Sequence, residues 1–277
     1  FEQYFEHGNA DIKETLTYQY RMHKDIMDIV NLFYDGYLQD GNEGKYGDGR
    51  KSHNLFIHST SGTAMIVPDR HAYWIDSSTL DGEPIYEQRK PGSTSAENIL
   101  EAYAIIELLK KMEIEYANQI NGLPPVSVGV ISFYYDQVSM LRNLVKKESF
   151  HAIDVEINTV DRFQGKEKEI IIVSLVRNVK NAKHNTDSHI AAFQRINVAF
   201  SRAQNLLIIV GAKDMYAPQP VVMTDMNNGE EKTVMVYKNI IEMMDMKGTL
   251  FSCDEIIPEN LVGQIFEKLN KKGDAEA

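Results

Sequence analysis

Short apolar runs alternate with longer segments of helical hydrophobic spacing along most of this chain. The apolar runs are typical of buried strands, and the segments between them are long enough to be crossover helices. The predicted strands cover residues 72–75, 126–132, 155–160, 169–176 and 206–210. This alternation predicts an α/β fold with a largely parallel sheet.

The segments between these strands have apolar residues at helical spacing. They lie at about 24–38, 94–112, 136–147 and 194–203. Thr94 and Glu97 stand three residues apart before an apolar run, which predicts a capping box at the start of the second helix. Residues 39–62 are rich in Gly, Asn, Asp and Ser, and we predict an irregular surface excursion there. A Gly-rich phosphate loop is the alternative, but no GKS or GKT ending follows.

The hydrophobic pattern changes beyond residue 211. Two β-rich runs, at 221–224 and 233–237, flank an Asn-Asn-Gly turn, which predicts a hairpin, and two short helices and a charged tail follow. We therefore expect one domain over residues 1–211, with the irregular excursion extending over 39–72. A hairpin-and-helix appendage at 212–277 would extend or cover the sheet.

Composition and charge narrow the function classes. The 277 residues carry a net charge of −11, which excludes a broadly basic shell for nucleic acid but allows a narrow basic groove. The single cysteine, Cys253, excludes an internal disulfide and a cysteine-rich zinc site. It fits a reducing compartment, so we expect a cytoplasmic protein, or a nuclear one if the source is eukaryotic. No run approaches the roughly 20 apolar residues that span a bilayer, so no membrane partner is expected.

Four polar clusters stand where the predicted elements begin or end. They are residues 19–23 (QYRMH), 131–137 (ISFYYDQ), 159–167 (TVDRFQGKE) and 194–204 (QRINVAFSRAQ). Taken alone, each has an ordinary explanation as packing, as a turn or as a solvated basic stripe. Each also offers groups that suit a nucleotide or a nucleic acid: an aromatic face, an arginine fork for phosphate or a carboxylate for a ribose hydroxyl. Arg195 and Arg202 are seven residues apart, which predicts that they share one face of the fourth helix.

In order and spacing, these clusters resemble the motifs of the second RecA-like domain of superfamily 1 helicases. The similarity is to the branch that includes the RNA helicase of nonsense-mediated decay and its DNA-repair relatives, and it covers about residues 14–38 and 73–211. It is most specific at 158–178 and 195–211, which resemble motifs V and VI of that family. The resemblance implies a RecA-like, P-loop-NTPase-like parallel sheet with helices on both faces, in addition to the C-terminal hairpin and helices.

The resemblance also implies which residues would bind ATP. Tyr20 would stack on the adenine, Gly165 would approach the phosphates through its amide, and Glu167 would bind the ribose hydroxyl. Arg21 and Arg202 would be the catalytic pair on the γ-phosphate, with Arg202 as the arginine finger that stabilises the transition-state charge.

A second set of residues is implied to contact single-stranded DNA or RNA. These are Ser132 and Tyr134 in residues 131–137, which resemble motif IV of the family, and Thr159 in the segment that resembles motif V.

The sequence departs from the family pattern at several positions, of which Ser132 and Ser201 keep a hydroxyl where threonine is usual. Phe133 stands where proline is usual, so that turn is expected to differ, and Gln204 replaces a usual cation, which leaves its part in any charge network open.

A helicase of this type also needs a P-loop, GxxxxGK[ST], and acidic residues for Mg²⁺. The sequence contains no such loop, and its first residue is Phe1. We therefore expect a piece of a longer chain that is inactive alone, with ATP and Mg²⁺ held jointly with an N-terminal RecA-like domain and with no metal ligands here. The expected function is the C-terminal motor half of an ATP-dependent nucleic-acid helicase or translocase. The alternatives are a non-catalytic docking module and a translocase that does not unwind.

Overall fold

The structure is a computed structural model, and it describes residues 18–41, 52–119, 122–180, 192–226 and 228–273. The start of the chain, part of the predicted excursion, position 227 of the hairpin turn and the end of the charged tail lie outside the described residues. Helices and strands are numbered in chain order within the described part.

The strands and helices alternate through the middle of the chain. The strands are β1 Tyr18–Gln19, β2 Gln39–Asp40, β3 Ile57–His58, β4 Ala64–Ile66, β5 Ala72–Asp76, β6 Thr79–Leu80, β7 Glu83–Pro84, β8 Val126–Ser132, β9 Ile153–Thr159, β10 Lys168–Ser174, β11 Ala203–Gly211, β12 Val221–Thr224, β13 Glu231–Val234 and β14 Leu250–Ser252. The helices are α1 Lys24–Val30, α2 Ile99–Ala117, α3 Tyr135–Val145, α4 Val160–Phe163, α5 Phe193–Phe200, α6 Lys213–Tyr216, α7 Val236–Met246 and α8 Glu259–Gly273.

A six-stranded sheet in the order β14-β5-β11-β10-β8-β9 forms the centre of the molecule. Every neighbouring pair in it is parallel. Successive side chains of a strand point to opposite faces, so Ile171 and Val173 of β10 enter one hydrophobic core while Ile170 and Ile172 enter the other. The α/β fold with a parallel sheet that the alternating pattern predicted is confirmed, and so is the RecA-like architecture that the family resemblance implied.

Helices cover both faces of this sheet. One core contains apolar side chains of α1, α5 and α7, and the other contains those of α2, α3 and α8. The strands therefore carry apolar residues on both sides, which is why the sequence shows nearly continuous apolar runs rather than alternation.

Two predicted helix ends were wrong. The first helix does not reach residue 38, because it tightens into a 3-10 turn at Asn31–Phe33 and is followed by left-handed Asp35 and Gly36. The second helix begins at Ile99, where the Asn98 side chain accepts a hydrogen bond from the Glu101 amide at 3.2 Å. The capping box predicted at Thr94 and Glu97 does not form, since Glu97 is buried and pairs with Lys90.

Residues 39–72 and the segment beyond 211 both add short strands. β2 pairs with β1, and β3 pairs with β4 in a small antiparallel ribbon. β12 and β13 form the predicted hairpin, but the second strand ends at Val234 and α7 takes over at Val236. β14 extends the central sheet beside β5, with Leu250 opposite Trp74.

Candidate functional site

A groove of about 870 Å³ opens at the amino-terminal ends of β10 and β11. It is lined by Tyr20 and Arg21 from the segment before α1, by Glu167 from the loop before β10, and by Arg202 from the turn before β11. Four residues that the sequence analysis assigned to ATP, from three separate segments, therefore share one concave surface.

A buried glutamine shapes the part of the groove that carries Tyr20 and Arg21. The Oε1 atom of Gln19 accepts from the Arg21 amide at 3.0 Å and from the Met22 amide at 2.8 Å, while its Nε2 donates to the Met22 carbonyl at 3.0 Å. This tight turn leaves the Tyr20 ring 65% exposed. A Cβ at Gly41 would lie 2.4 Å from that ring, so glycine there lets the ring rest against backbone. The supporting roles of Gln19 and Gly41 were not predicted from the sequence.

Arg21 is held by a carboxylate in this arrangement. Its Nε donates to Glu167 Oε2 at 2.8 Å, and its Nη1 donates to the Ser201 carbonyl at 3.1 Å. Gln204 donates to the same Glu167 oxygen at 3.3 Å. Partial burial acts to raise the pKa of Glu167, but the hydrogen bonds from Gln204 and Arg21 outweigh it and lower the pKa. Glu167 is therefore ionised at neutral pH, and Gln204 supports it without adding a charge.

Arg202 sits beside this pair and is anchored mainly to backbone. Its Nε donates to the Val198 carbonyl at 3.0 Å and its Nη1 to the Lys166 carbonyl at 3.4 Å. Burial, followed by the positive charge of Arg21, lowers the pKa of Arg202. Two guanidinium groups that repel each other across a groove favour an anion between them, because the anion would relieve that repulsion.

Gly165 lies in the exposed turn between α4 and β10. Its φ of 82° is in the left-handed region, whereas a Cβ built there would meet nothing within 4 Å. The conformation rather than crowding requires glycine here. The turn leads directly to Glu167. The Gly165 amide, which was predicted to approach the phosphates, and the Glu167 carboxylate, which lines the groove, therefore belong to one loop.

The predicted nucleic-acid residues lie at the opposite edge of the sheet. Ser132 and Thr159 are the last residues of β8 and β9 and stand opposite each other in register. β8 is seven residues long, so this carboxyl-terminal edge is about 20 Å from the amino-terminal edge that bears the groove.

Exposure separates these carboxyl-edge residues. Ser132 is fully buried and its Oγ donates to the Ser174 carbonyl at 3.1 Å, and Tyr134 is only 5% exposed. Thr159 is half-buried and its side chain makes no capping hydrogen bond. Tyr135, which the sequence analysis did not select, is 63% exposed at the first position of α3.

Arg195 and Arg202 do not share a helix face, and that prediction was wrong. α5 ends at Phe200, and Arg202 lies beyond it in the turn that feeds β11. Arg195 pairs instead with Asp161 at the carboxyl edge, with 2.9 Å between Nη2 and Oδ2. The helix stops because Ala203 already pairs with Lys168 of β10.

In the described part of the chain, no group of three or more His, Cys, Asp or Glu side chains is placed to hold a metal ion. No helix in that part is both long and apolar enough to cross a membrane.

The fold and the motif segments define a RecA-like domain of a superfamily 1 helicase. A family model described as "AAA domain" matches residues 1–214, and the chain belongs to that family. The chain is 29% identical over 221 residues to the DNA replication ATP-dependent helicase/nuclease JHS1 of Arabidopsis thaliana, a match covering 78% of this chain and 15% of that protein.

Two further relatives are similar to the same extent. The DNA replication ATP-dependent helicase/nuclease DNA2 of Saccharomyces cerevisiae is 29% identical over 229 residues, covering 78% of this chain and 14% of DNA2. The uncharacterized ATP-dependent helicase MJ0104 of Methanocaldococcus jannaschii is 30% identical over 213 residues, covering 74% of this chain and 27% of that protein. The chain thus spans less than a third of the length of each of these relatives.

Proposed function

We propose that this domain is the C-terminal motor half of an ATP-dependent nucleic-acid helicase or translocase. The observation that carries the proposal is the convergence of Arg21 and Arg202 on one groove that also contains Tyr20 and Glu167. In the proposal, another RecA-like domain of the parent protein faces this groove and supplies the Mg²⁺ ligands and the P-loop, a motif that does not occur in this sequence.

The groove residues, and Gly165 in the turn that leads to Glu167, have chemistry that fits different parts of ATP. The exposed ring of Tyr20 offers a face for the adenine, the Gly165 amide can approach the phosphates, and the Glu167 carboxylate can accept from a ribose hydroxyl. When ATP is bound with Mg²⁺, its γ-phosphoryl group is the one transferred to water. Arg202 would stabilise the charge that develops there, an effect worth roughly 10³–10⁵ in rate in related phosphoryl-transfer enzymes.

Arg21 would have to change partners to reach phosphate. In the structure its guanidinium is paired with Glu167 at 2.8 Å, and the two side chains are 35% and 43% exposed. Exposed ion pairs of this kind are weak, typically about 0–1 kcal/mol, so exchange of the carboxylate for a phosphate costs little. The same exchange frees Glu167 for a ribose hydroxyl.

The proposed strand-binding surface is the carboxyl edge. Thr159 is half-buried there and offers a hydroxyl that makes no capping hydrogen bond, and Tyr135 offers an exposed ring, whereas the buried Ser132 and Tyr134 would support that surface from below. Relatives described as DNA replication helicase/nucleases favour DNA as the bound strand.

The test uses the parent protein that contains this domain. We expect Arg202→Ala to reduce strand-stimulated ATP hydrolysis by about a thousandfold, and Arg202→Lys to restore little, because lysine lacks the planar fork. Arg21→Ala should lower the rate as well. Arg89→Ala is the matched control, since Arg89 is exposed and lies outside the groove.

The contrary result is an Arg202→Ala protein that hydrolyses ATP within threefold of the wild-type rate. A wild-type parent protein that binds nucleic acid but shows no ATP hydrolysis would instead favour a docking module. A strand-displacement assay on the same protein separates a helicase from a translocase that does not unwind.

A further inference from the structure

Two stretches of chain connect the carboxyl edge of the sheet with the groove at the amino edge. One runs from Thr159 through α4 and Gly165 to β10, and the other runs down α5 to Arg202. They are joined at the groove end, where the Lys168 amide donates to the Arg202 carbonyl at 3.1 Å. The two stretches are therefore hydrogen-bonded to each other at that end.

A second connection joins the same stretches about 20 Å away, at the carboxyl edge. Arg195, in the first turn of α5, donates from Nη2 to Asp161 Oδ2 at 2.9 Å. The central carbon of its guanidinium lies 5.7 Å from the centre of the Phe133 ring, within the range of a cation–π contact. Phe133 directly follows β8, so one guanidinium touches residues that follow two adjacent strands. We call Phe133, Asp161 and Arg195 the edge triad.

The edge triad lies between the residues proposed to meet the nucleic acid. Thr159 is two residues before Asp161, and Tyr135 is two residues after Phe133. A strand that binds at Thr159 and Tyr135 would therefore contact the chain within two residues of Asp161 and of Phe133, two of the three members of the triad. Its third member, Arg195, begins the helix that leads to Arg202.

We propose that Arg195 is a positioning residue that couples strand binding at the carboxyl edge to the placement of Arg202 in the groove. This inference rests on the proposed motor function. The guanidinium suits the role because its fork bonds Asp161 while its face lies on Phe133, a combination that an ammonium group cannot reproduce.

The solvent exposure of the Asp161–Arg195 pair indicates that the triad affects coupling more than it affects the stability of the fold. The Asp161 side chain is 69% exposed and that of Arg195 is 23% exposed. An ion pair with one partner in solvent adds little to stability. Asp161→Asn also keeps the shape of the side chain, so this variant tests the pair in a folded protein.

The experiment measures ATP hydrolysis by the full parent protein with and without a single-stranded DNA oligonucleotide. We expect Asp161→Asn and Arg195→Gln each to keep the basal rate within twofold of wild type and to reduce stimulation by DNA about fivefold or more. The double variant should be no worse than Arg195→Gln alone, because both changes remove the same connection. Arg195→Lys should not restore the stimulation.

The matched controls are Lys238→Gln and Glu242→Gln, which break an exposed pair on α7 whose charged atoms are 3.7 Å apart. These controls should leave stimulation unchanged. Equal losses of basal and stimulated rates in the triad variants, or strictly additive losses in the double variant, would overturn the inference.

The outcomes separate this inference from the proposed function. If neither single-stranded DNA nor single-stranded RNA stimulates the wild-type protein, or if Arg202→Ala is harmless, the motor proposal fails. If Arg202→Ala abolishes hydrolysis while the triad variants retain full stimulation, only the coupling role of Arg195 fails.

Discussion

Two adjacent tyrosines, Tyr134 and Tyr135, differ sharply in solvent exposure. Tyr134 is 5% exposed and precedes α3, whereas Tyr135 is 63% exposed and begins it. The family resemblance implied that Tyr134 would lie near a bound strand, but the sequence could not tell which of the two rings faces solvent. That choice is set by where the strand ends and the helix starts.

We expect Tyr135→Ala to weaken binding of a single-stranded oligonucleotide by the parent protein about fivefold or more. The reason is that stacking of a base on an aromatic ring is worth roughly 1–3 kcal/mol. Fluorescence anisotropy at fixed salt measures the affinity. Ile114→Ala is the control, since Ile114 is also an exposed apolar residue but lies on α2. An unchanged affinity in Tyr135→Ala would remove this ring from the proposed surface.

The sequence predicted which residues share the groove better than it predicted which residues are exposed at the proposed strand-binding edge. Tyr20, Arg21, Glu167 and Arg202 meet in space as the motif order implied. Ser132 does not reach the surface, because its hydroxyl bonds the Ser174 carbonyl inside the protein. Spacing along the chain carries information about which elements adjoin, but burial of a single hydroxyl depends on the packing around it.

At the scale of elements, apolar runs predicted the central strands correctly, whereas local sequence signals predicted the wrong end for α1 and the wrong start for α2. β8 covers residues 126–132, as predicted. The start of α2 was misplaced, because Asn98 caps the helix while the Thr94 and Glu97 pair only imitates a cap. β14 was missed, since three partly buried residues have too short a pattern to stand out, and its pairing with β5 comes from tertiary packing.

The packing of α4 across β8 depends on the absence of a side chain at Gly129. The short helix α4, between β9 and β10, places Phe163 over β8. A Cβ at Gly129 would lie 2.9 Å from Phe163 Cε1 and 2.6 Å from Ile171 Cδ1. Both neighbours are fully buried, so neither can move aside without disturbing the core.

We therefore expect Gly129→Ala to destabilise the domain by about 1–3 kcal/mol, as overpacking of a dense core does. The midpoint of urea unfolding of the 277-residue chain measures this. Gly263→Ala, in α8, should leave the midpoint unchanged or raise it, because a Cβ there meets nothing within 4 Å. Equal midpoints for wild type and Gly129→Ala would show that Phe163 can shift at no cost.

At the scale of the whole molecule, a fully buried carboxyl group ties several strand ends together. Glu101 accepts from Ser174 Oγ at 2.6 Å, from Ser77 Oγ at 3.2 Å and from the Val176 amide at 2.9 Å. Val176 has a φ of 74°, which is uncommon for a β-branched residue, and its hydrogen bonds to Glu101 help to hold that conformation. Burial raises the pKa of Glu101 to about 8, although the hydrogen bonds from Ser174 and Val176 oppose the shift.

This raised pKa makes stability depend on pH. Below the ordinary pKa of 4.5, Glu101 is neutral in both the folded and the unfolded chain. Between pH 4.5 and 8, Glu101 loses its proton in the unfolded chain but keeps it in the folded chain, so its contribution to folding stability declines as the pH rises. Above about pH 8 the group is ionised in both states, and its contribution no longer changes with pH. We expect Glu101→Gln to remove this decline, which would change the difference in unfolding free energy between pH 5 and pH 8.5 by about 1 kcal/mol or more.

Urea unfolding of the 277-residue chain at the two pH values gives this comparison. Glu242→Gln on α7 is the control, because Glu242 is largely exposed. Parallel pH profiles for wild type and Glu101→Gln would mean that Glu101 titrates alike in the folded and unfolded chain.

The pairing of β14 with β5 has a consequence for how the domain is made. Residues 250–252 complete the edge of a sheet whose neighbouring strand, at 72–76, is synthesised far earlier. On the ribosome, the backbone groups on the outer side of β5 stay unpaired until residues 250–252 have emerged. Such a distant pairing is entropically slow to form, and an open strand edge invites association with other nascent chains.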